Sequence, residues 1–395
     1  MDLEYSAADE VFRAEIRSWL SREVPAHGPP PPPGDLLVRR AYDTAWQRKL
    51  YDAGYAGLAW PQRFGGRGLP ATQQLVYLEE YMRAGAPYIS TNFVGMMHAG
   101  PTLIAEGTDE QRSFHLPRIL RGEDIWCQGF SEPGAGSDLA SLRTRAVLDG
   151  DEYVVTGQKI WSTRAHVADY CELLVRTDPD AKKHQGITWL ILDMHQPGVE
   201  VRPIRTIDGE SHFCELFLNE ARVPLTNRVG AENDGWRVTN VTLRFERGTA
   251  FAQHIITMRS QIHRLVSSAR LRKTAEGTAW DDAGLRGAIG RLDANVEALW
   301  RMTQMSIAEA EHNDAPAAIG SVVKLRFSEL SQEIAELGVR IIGRPVIGMV
   351  DTDEIEVQST VAEYLWSLQY TIAAGTSQIQ RNVIAERILG LPRGA

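Results

Sequence analysis

Near the start of the chain, the apolar residues Val11, Phe12, Ile16, Trp19 and Leu20 recur at the spacing of one face of an amphipathic helix. Ser6 or Asp9 stands where such a helix is capped. Helical periodicity returns over residues 43–55, 71–83 and 109–121. Between the first two helical segments, the prolines Pro29 to Pro33, flanked by Gly28 and Gly34, cannot continue a helix. They predict a surface loop that acts as a rigid connector or a partner-docking segment.

From about residue 122 the pattern shortens. Tyr153-Val-Val-Thr, Tyr170-Cys-Glu-Leu-Leu-Val, Gly186-Ile-Thr-Trp-Leu-Ile-Leu-Asp, Val199-Glu-Val-Arg and Cys214-Glu-Leu-Phe-Leu-Asn are β-branched or alternating runs separated by Gly and Asp turns. Strands at this spacing predict a compact barrel or sandwich. After Asn233-Asp-Gly-Trp236 the chain returns to long helical stretches up to Leu391, broken near residues 277–281 and at Gly343-Arg-Pro345. Helices, then strands, then helices is an α+β plan, and the absence of βαβ alternation argues against a dinucleotide-type parallel sheet. The expected domains are residues 1–121 (helical), 122–235 (β) and 236–395 (helical).

Composition narrows the function. At 395 residues the chain exceeds one ordinary core, and 43% hydrophobic with 24% charged residues is globular. A formal charge of −9 gives no basic face for nucleic acid and no attraction to anionic membranes. Cys127, Cys171 and Cys214 form no CxxC pair and no metal spacing. With no basic-then-apolar leader visible and no run of about 18 apolar residues, the expectation is a cytoplasmic protein in a reducing compartment.

Three motifs carry the chemistry: Gln128-Gly-Phe-Ser-Glu-Pro-Gly-Ala-Gly-Ser-Asp138, Gly157-Gln-Lys-Ile-Trp-Ser-Thr163 and Gly375-Thr-Ser-Gln-Ile-Gln-Arg381. The first offers glycines for close backbone approach and hydroxyls at Ser131 and Ser137. Taken singly, the alternative is a ligand-free Gly-rich hairpin, and for Trp161 plain core packing. In this order and spacing the three resemble the flavin-handling segments of the acyl-CoA dehydrogenase family, over nearly the whole chain. The resemblance implies an N-terminal helical domain, a middle β-barrel domain and a C-terminal four-helix bundle. It implies FAD as cofactor, lined by Gln128, Phe130, Ser131 and Gly136, with Ser137 facing the CoA-bearing substrate. Trp161 would cover a ring face, Thr163 bond the flavin edge, and Thr376 and Gln378 contact flavin and thioester. Phe130 departs from the smaller aliphatic residue usual in the family.

Abstracting an α-proton from a thioester needs a carboxylate and a polarised carbonyl. Many family members carry the base just before the C-terminal Gly-Thr, but here that residue is Ala374. A second subgroup carries it in an upstream Glu-Arg pair, which Phe245-Glu246-Arg247-Gly-Thr249 matches. The resemblance therefore implies Glu246 as base, with Arg247, Ala374 and Gly375 at the substrate; outside this frame, Glu246-Arg247 is an ordinary surface charge pair. The backbone N–H of residue 374 and a ribityl hydroxyl of FAD would polarise the carbonyl. Small residues beside the base (Gly248, Thr249, Ala250) and Ala373-Ala374 imply an acyl group bulkier than a short straight chain.

In homomeric relatives a neighbouring subunit lends Arg-x-x-Phe-Gly and Gln-x-x-Gly-Gly elements to the flavin diphosphate. Here those places read Leu271-Arg-Lys-Thr-Ala-Glu-Gly and Arg340-Ile-Ile-Gly343-Arg344, and the usual Arg-Asp-Ala has become Leu365-Trp366-Ser367. Receiving residues kept and lending residues lost resemble the heteromeric actinobacterial dehydrogenases of steroid side-chain CoA thioesters. The implied assembly is α2β2 with a homologous subunit; the alternative is a homotetramer in which Arg272 or Lys273 covers the phosphates. The implied activity is FAD-dependent α,β-dehydrogenation of an acyl-CoA in fatty-acid or steroid side-chain catabolism, with electrons passing to an electron-transfer flavoprotein. A flavin oxidase or monooxygenase on the same fold, or a non-catalytic partner subunit, are the competing readings.

Overall fold

Ser6 and Asp9 cap the first helix together rather than as alternatives: Ser6 N donates to Asp9 Oδ2 (2.9 Å) and Asp9 N to Ser6 Oγ (3.2 Å). The computed structural model describes residues 5–32, 34–246, 252–275, 277–312, 319–348 and 355–392. Helices α1 (Ala7–His27), α2 (Leu36–Asp52), α3 (Ala71–Arg83), α4 (Gly100–Glu106) and α5 (Asp109–Leu120) come first. The second starts earlier than its apolar periodicity suggests, because Asp35 Oδ1 accepts from the N–H groups of Leu37 and Val38. Thr108 and Gln111 form a reciprocal capping box at the start of α5.

Strands β1 (Trp126–Gly129), β2 (Arg145–Asp149), β3 (Glu152–Thr163), β4 (Tyr170–Arg176), β5 (Ile187–Asp193), β6 (Val199–Ile204), β7 (Phe213–Pro224) and β8 (Arg228–Val229) build one eight-stranded mixed sheet. Its order is β6-β7-β3-β2-β4-β5-β8, with β1 added in parallel to β4. Apolar alternation alone does not reveal β1 and β2: the former is four residues long, and the latter buries only Ala146. In the middle strands Cys171–Val175 and Ile187–Leu192 are buried without interruption, the signature of a strand covered on both faces.

The last helices are α6 (Gly235–Glu246), α7 (Ala252–Leu271), α8 (Ala283–His312), α9 (Ile319–Ile342), α10 (Ile355–Ser367) and α11 (Ser377–Val383). The chain divides into two compact units. One comprises Arg17–Pro70 and Ala84–Glu246 and contains the sheet; the other comprises Met1–Ile16, Ala71–Arg83 and Arg247–Ala395. In the helical unit, Ile255, Met258 and Ile262 of α7, Val296 and Leu299 of α8, and Phe327, Leu330 and Ile334 of α9 share one apolar core with Leu75 of α3, each set at the spacing of one helix face. Among the described residues, no helix is long and apolar enough to cross a membrane.

Candidate functional site

In the sheet unit, the glycine-rich segment is tied to β3 by a buried ion pair. Lys159 is wholly buried, and its Nζ lies 2.9 Å from Glu132 Oε1 and 3.1 Å from the carbonyl oxygen of Phe130. Glu132 also accepts from the backbone N–H groups of Arg143 (2.7 Å) and Thr144 (2.8 Å). Burial alone would raise the Glu132 carboxyl; the Lys159 charge and the Thr144 hydrogen bonds overcome it and hold the group below its ordinary range. Burial pulls the Lys159 ammonium down despite Glu132. One signal in the sequence pointed here: Lys159 shares strand parity with the inward residues Tyr153 and Val155.

By that parity Trp161 would also face inward. The pairing of β3 with β7 shifts register between Lys159 and Ser162, and the extra residue re-aims the side chains. Ser162 turns in, fully buried, with no partner for its hydroxyl among the described residues. Trp161 turns out, 55% exposed at φ +62°, its ring edge-on to Phe213 at 6.0 Å. The reading of Trp161 as core packing is therefore excluded. A bulky residue held in the left-handed region costs on the order of 1–3 kcal/mol and marks a functional-site candidate.

The other predicted positions of this unit divide into two groups. Ser131 is half-buried, and its carbonyl accepts from Ile160 N (2.9 Å), so it lies backbone-to-backbone with the strand that carries Trp161. Thr163 pairs with Phe213, and Gly136 and Ser137 lie on the exposed turn. The side chains of Gln128 and Phe130, however, point into the protein. Gln128 Nε2 donates to Glu172 Oε1 (2.8 Å) and sits 3.2 Å from His98 Nδ1, while Phe130 is 4% exposed. Gly129 between them has no room for a side chain: a Cβ would come within 2.8 Å of Cys171 Sγ and Leu173 Cδ1.

Glu246 closes α6, and its side chain, with Arg247 and the small residues Gly248, Thr249 and Ala250, lies outside the described residues. The helix that delivers Glu246 is firmly seated. Arg237 grips Glu106 at 2.5 and 2.7 Å and Asp234 at 2.6 Å, and Thr242 Oγ1 lies 2.8 Å from Thr102 Oγ1. The Arg237 hydrogen bonds, ahead of its charge, hold the Glu106 carboxyl below its usual range against a cost of burial.

In the helical unit, Ala374 and Gly375 follow one another in left-handed backbone, at φ +53° and +83°. The carbonyl of Ala374 accepts from Gln380 Nε2 (3.1 Å) and that of Gly375 from Lys324 Nζ (2.9 Å). Thr376 Oγ1 caps α11 by accepting from Ile379 N (3.2 Å), and Gln378 is exposed. Among the described residues the N–H of Ala374 has no internal acceptor. Trp366 and Ser367, where Arg-Asp-Ala was expected, serve the interior: Trp366 Nε1 donates to the Tyr370 hydroxyl (3.0 Å) and Ser367 is buried.

These residues suit a flat aromatic ligand in the sheet unit. An exposed indole is fixed by a bulge next to an open turn, where a Cβ at Gly134 or Gly136 would meet nothing within 4 Å. In the helical unit they offer a backbone donor and no carboxylate at residue 374. Among the described residues no group of His, Cys, Asp and Glu could hold a metal ion.

Comparison with known proteins follows the same lines. The family models for the N-terminal, middle and C-terminal domains of acyl-CoA dehydrogenase match residues 6–123, 127–221 and 233–389. The chain is 39% identical over 393 residues to acyl-CoA dehydrogenase IpdE1 of Mycobacterium tuberculosis, covering 98% of each chain. Among solved structures it is similar to a chain of the ChsE4-ChsE5 complex from Mycobacterium tuberculosis (33% identity, TM-score 0.83, full coverage of both chains). A chain described as the Tcur3481-Tcur3483 steroid ACAD matches with 30% identity, the same TM-score and full coverage of both chains.

If the Glu132–Lys159 pair anchors the loop, Glu132→Gln strands a buried charge, for which about 3–5 kcal/mol of stability should be lost. The Glu132 carboxyl is held below its unfolded value of about 4.3. Its contribution is therefore fully present above that pH and lost as pH falls through the lower folded value. Chemical denaturation of wild type and variant from pH 3 to 7 should show the gap narrowing at the acid end, and a pH-independent gap would contradict the pairing.

Proposed function

The chain belongs to the acyl-CoA dehydrogenase family, and we propose that it desaturates an acyl-CoA thioester between its α and β carbons with FAD as cofactor. The observation that carries this reading is at residue 374, where an alanine in left-handed backbone leaves its N–H without an internal acceptor among the described residues and supplies no carboxylate. A site so built polarises a carbonyl and takes its base from elsewhere, and the end of α6 supplies Glu246. FAD, when bound, supplies the hydride acceptor.

The chain's own groups do the rest. Trp161, Ser131, Gly136 and Thr163 of the sheet unit and Thr376 and Gln378 of the helical unit would each hold the flavin, the indole against a ring face, and Ser137 would face the CoA-bearing substrate. Because the side chains of Gln128 and Phe130 are turned inward, their part in flavin binding falls to the backbone of β1 and the residue after it. Glu246 takes the α-proton on its carboxylate. The N–H of Ala374 draws negative charge onto the thioester oxygen as that proton leaves, while Gly375 and Arg247 keep the substrate in place.

Full-length likeness to a chain described as a steroid dehydrogenase supports a bulky, steroid-derived acyl group over a short straight one. Likeness to a chain from a complex of two named proteins, with the lending motifs replaced, supports a heteromer, most simply α2β2 with a homologous subunit. Electrons would pass to an electron-transfer flavoprotein, and the setting would be the cytoplasm.

Glu246→Gln should bind FAD and acyl-CoA as wild type does while turnover drops on the order of 10³-fold or more; near-normal turnover would reassign the base. Trp161→Ala should shed its flavin on gel filtration, and a variant that stays fully yellow with an unchanged spectrum would remove the indole from the cofactor site. Expressed alone, the chain should be flavin-poor, with colour and activity restored by co-expression of a homologous subunit. Each missing charge-assisted donor is worth about 1.5–3 kcal/mol of diphosphate binding. Purification of an active homotetramer with one tightly held FAD per chain would decide for the homomer.

A further inference from the structure

Lys324 of α9 is 3% exposed, and its ammonium donates to two backbone carbonyls of the helical unit: Nζ lies 2.7 Å from Tyr370 O and 2.9 Å from Gly375 O. What the ammonium supplies is geometry. These two carbonyls bracket residues 371–374, the approach to the left-handed pair Ala374–Gly375.

That pair is constrained from both sides. Upstream, the N–H groups of Ile372 and Ala373 both donate to Gln369 O at 2.8 Å. Downstream, Gln380, itself buried, reaches Ala374 O at 3.1 Å and Gly375 O at 3.5 Å. With the peptide planes after Ala374 and after Gly375 pinned by Gln380 and Lys324, the alanine is kept in a conformation that L-residues rarely adopt. Its N–H is the group left over, free of internal acceptors among the described residues.

We propose that Lys324 is a positioning residue for carbonyl activation, holding the Ala374–Gly375 turn so that the N–H of Ala374 stays available to the thioester oxygen. This rests on the acyl-CoA dehydrogenase reading above. Charge-assisted bonds from the ammonium are the stronger kind, and two of them on one turn fix the donor before substrate arrives, which is what a preorganised oxyanion site requires.

The test uses Lys324→Met in the flavin-loaded enzyme as isolated with its partner, with Lys324→Arg as the conservative rescue. In Lys324→Met the carbonyl stretch of a bound enoyl-CoA, read by Raman difference spectroscopy, should lose most of the downshift seen in wild type. Turnover should fall about 10²-fold, the size of a lost oxyanion donor, with KM within about threefold. Hydrogen exchange of the peptide spanning residues 371–378 should quicken at least tenfold, with or without ligand, and Lys324→Arg should recover part of each change. Glu246→Gln should keep the full carbonyl downshift, which separates donor from base. A wild-type carbonyl band, turnover and exchange rate in Lys324→Met would overturn the proposal while leaving the functional reading intact. A wild-type enzyme with neither downshift nor turnover of any acyl-CoA would overturn the functional reading, and this proposal with it. If Lys324→Met does not fold, Lys324→Gln, which keeps a neutral donor, is put through the same measurements, and the same results support or overturn the proposal.

Discussion

The ammonium of Lys159 lies inside the sheet unit with no exposed surface, and the shape of the candidate site follows from how that charge is met. Glu132 answers it and is itself held by two backbone N–H donors, so the start of the glycine-rich segment is fixed against β3 at several points. A carboxylate with this many partners resists protonation and a lysine so placed cannot leave without exposing its partner. One residue further along, Ser131 O receives Ile160 N. The two strings of residues that the sequence offers as flavin contacts, 128–138 and 157–163, are thus one hydrogen-bonded object. Without the pair, the turn would be a surface loop with no reason to sit beside Trp161.

Two of the five described non-glycine residues in left-handed backbone fall at positions that the chemistry would need. Trp161 and Ala374 both lie in left-handed backbone although neither is glycine or asparagine, and each such residue persists only where its surroundings over-determine it. At Trp161 the surroundings are the sheet itself: the register slip buries Ser162 and leaves the indole outside. At Ala374 they are the side chains of Lys324 and Gln380 acting on carbonyls. Different means give the same result, a group presented outward from a rigid support.

Much of this was legible from the residues. Helix and strand blocks followed from periodicity, and the motif positions from their order. What escaped did so for physical reasons. Alternation places Trp161 indoors, and only a bulge, which depends on two strands at once, sends it out. Nothing near Gln128 signals that its amide bonds a buried carboxylate 44 residues later, Glu172. Lys324 carries no local signal for this role, since the carbonyls it holds on the turn are 46 and 51 residues away. The start of α2 escaped because Asp35, a polar residue next to a proline run, sets the boundary rather than any apolar residue.

The replaced Arg-Asp-Ala stretch bears on the same support. Had it merely drifted, its successors would be expected to lie loosely on the surface. Trp366 instead donates to the hydroxyl of Tyr370, the residue whose carbonyl receives Lys324, and Tyr370 in turn packs its ring 4.9 Å from Phe327 in the bundle core. Ser367 is buried and bonds back to Tyr364 O at 2.7 Å. The stretch that replaces Arg-Asp-Ala therefore belongs to the frame beneath the Ala374–Gly375 turn. Substitution in this stretch would therefore act on the turn through Tyr370 and Lys324 as well as on the stretch itself.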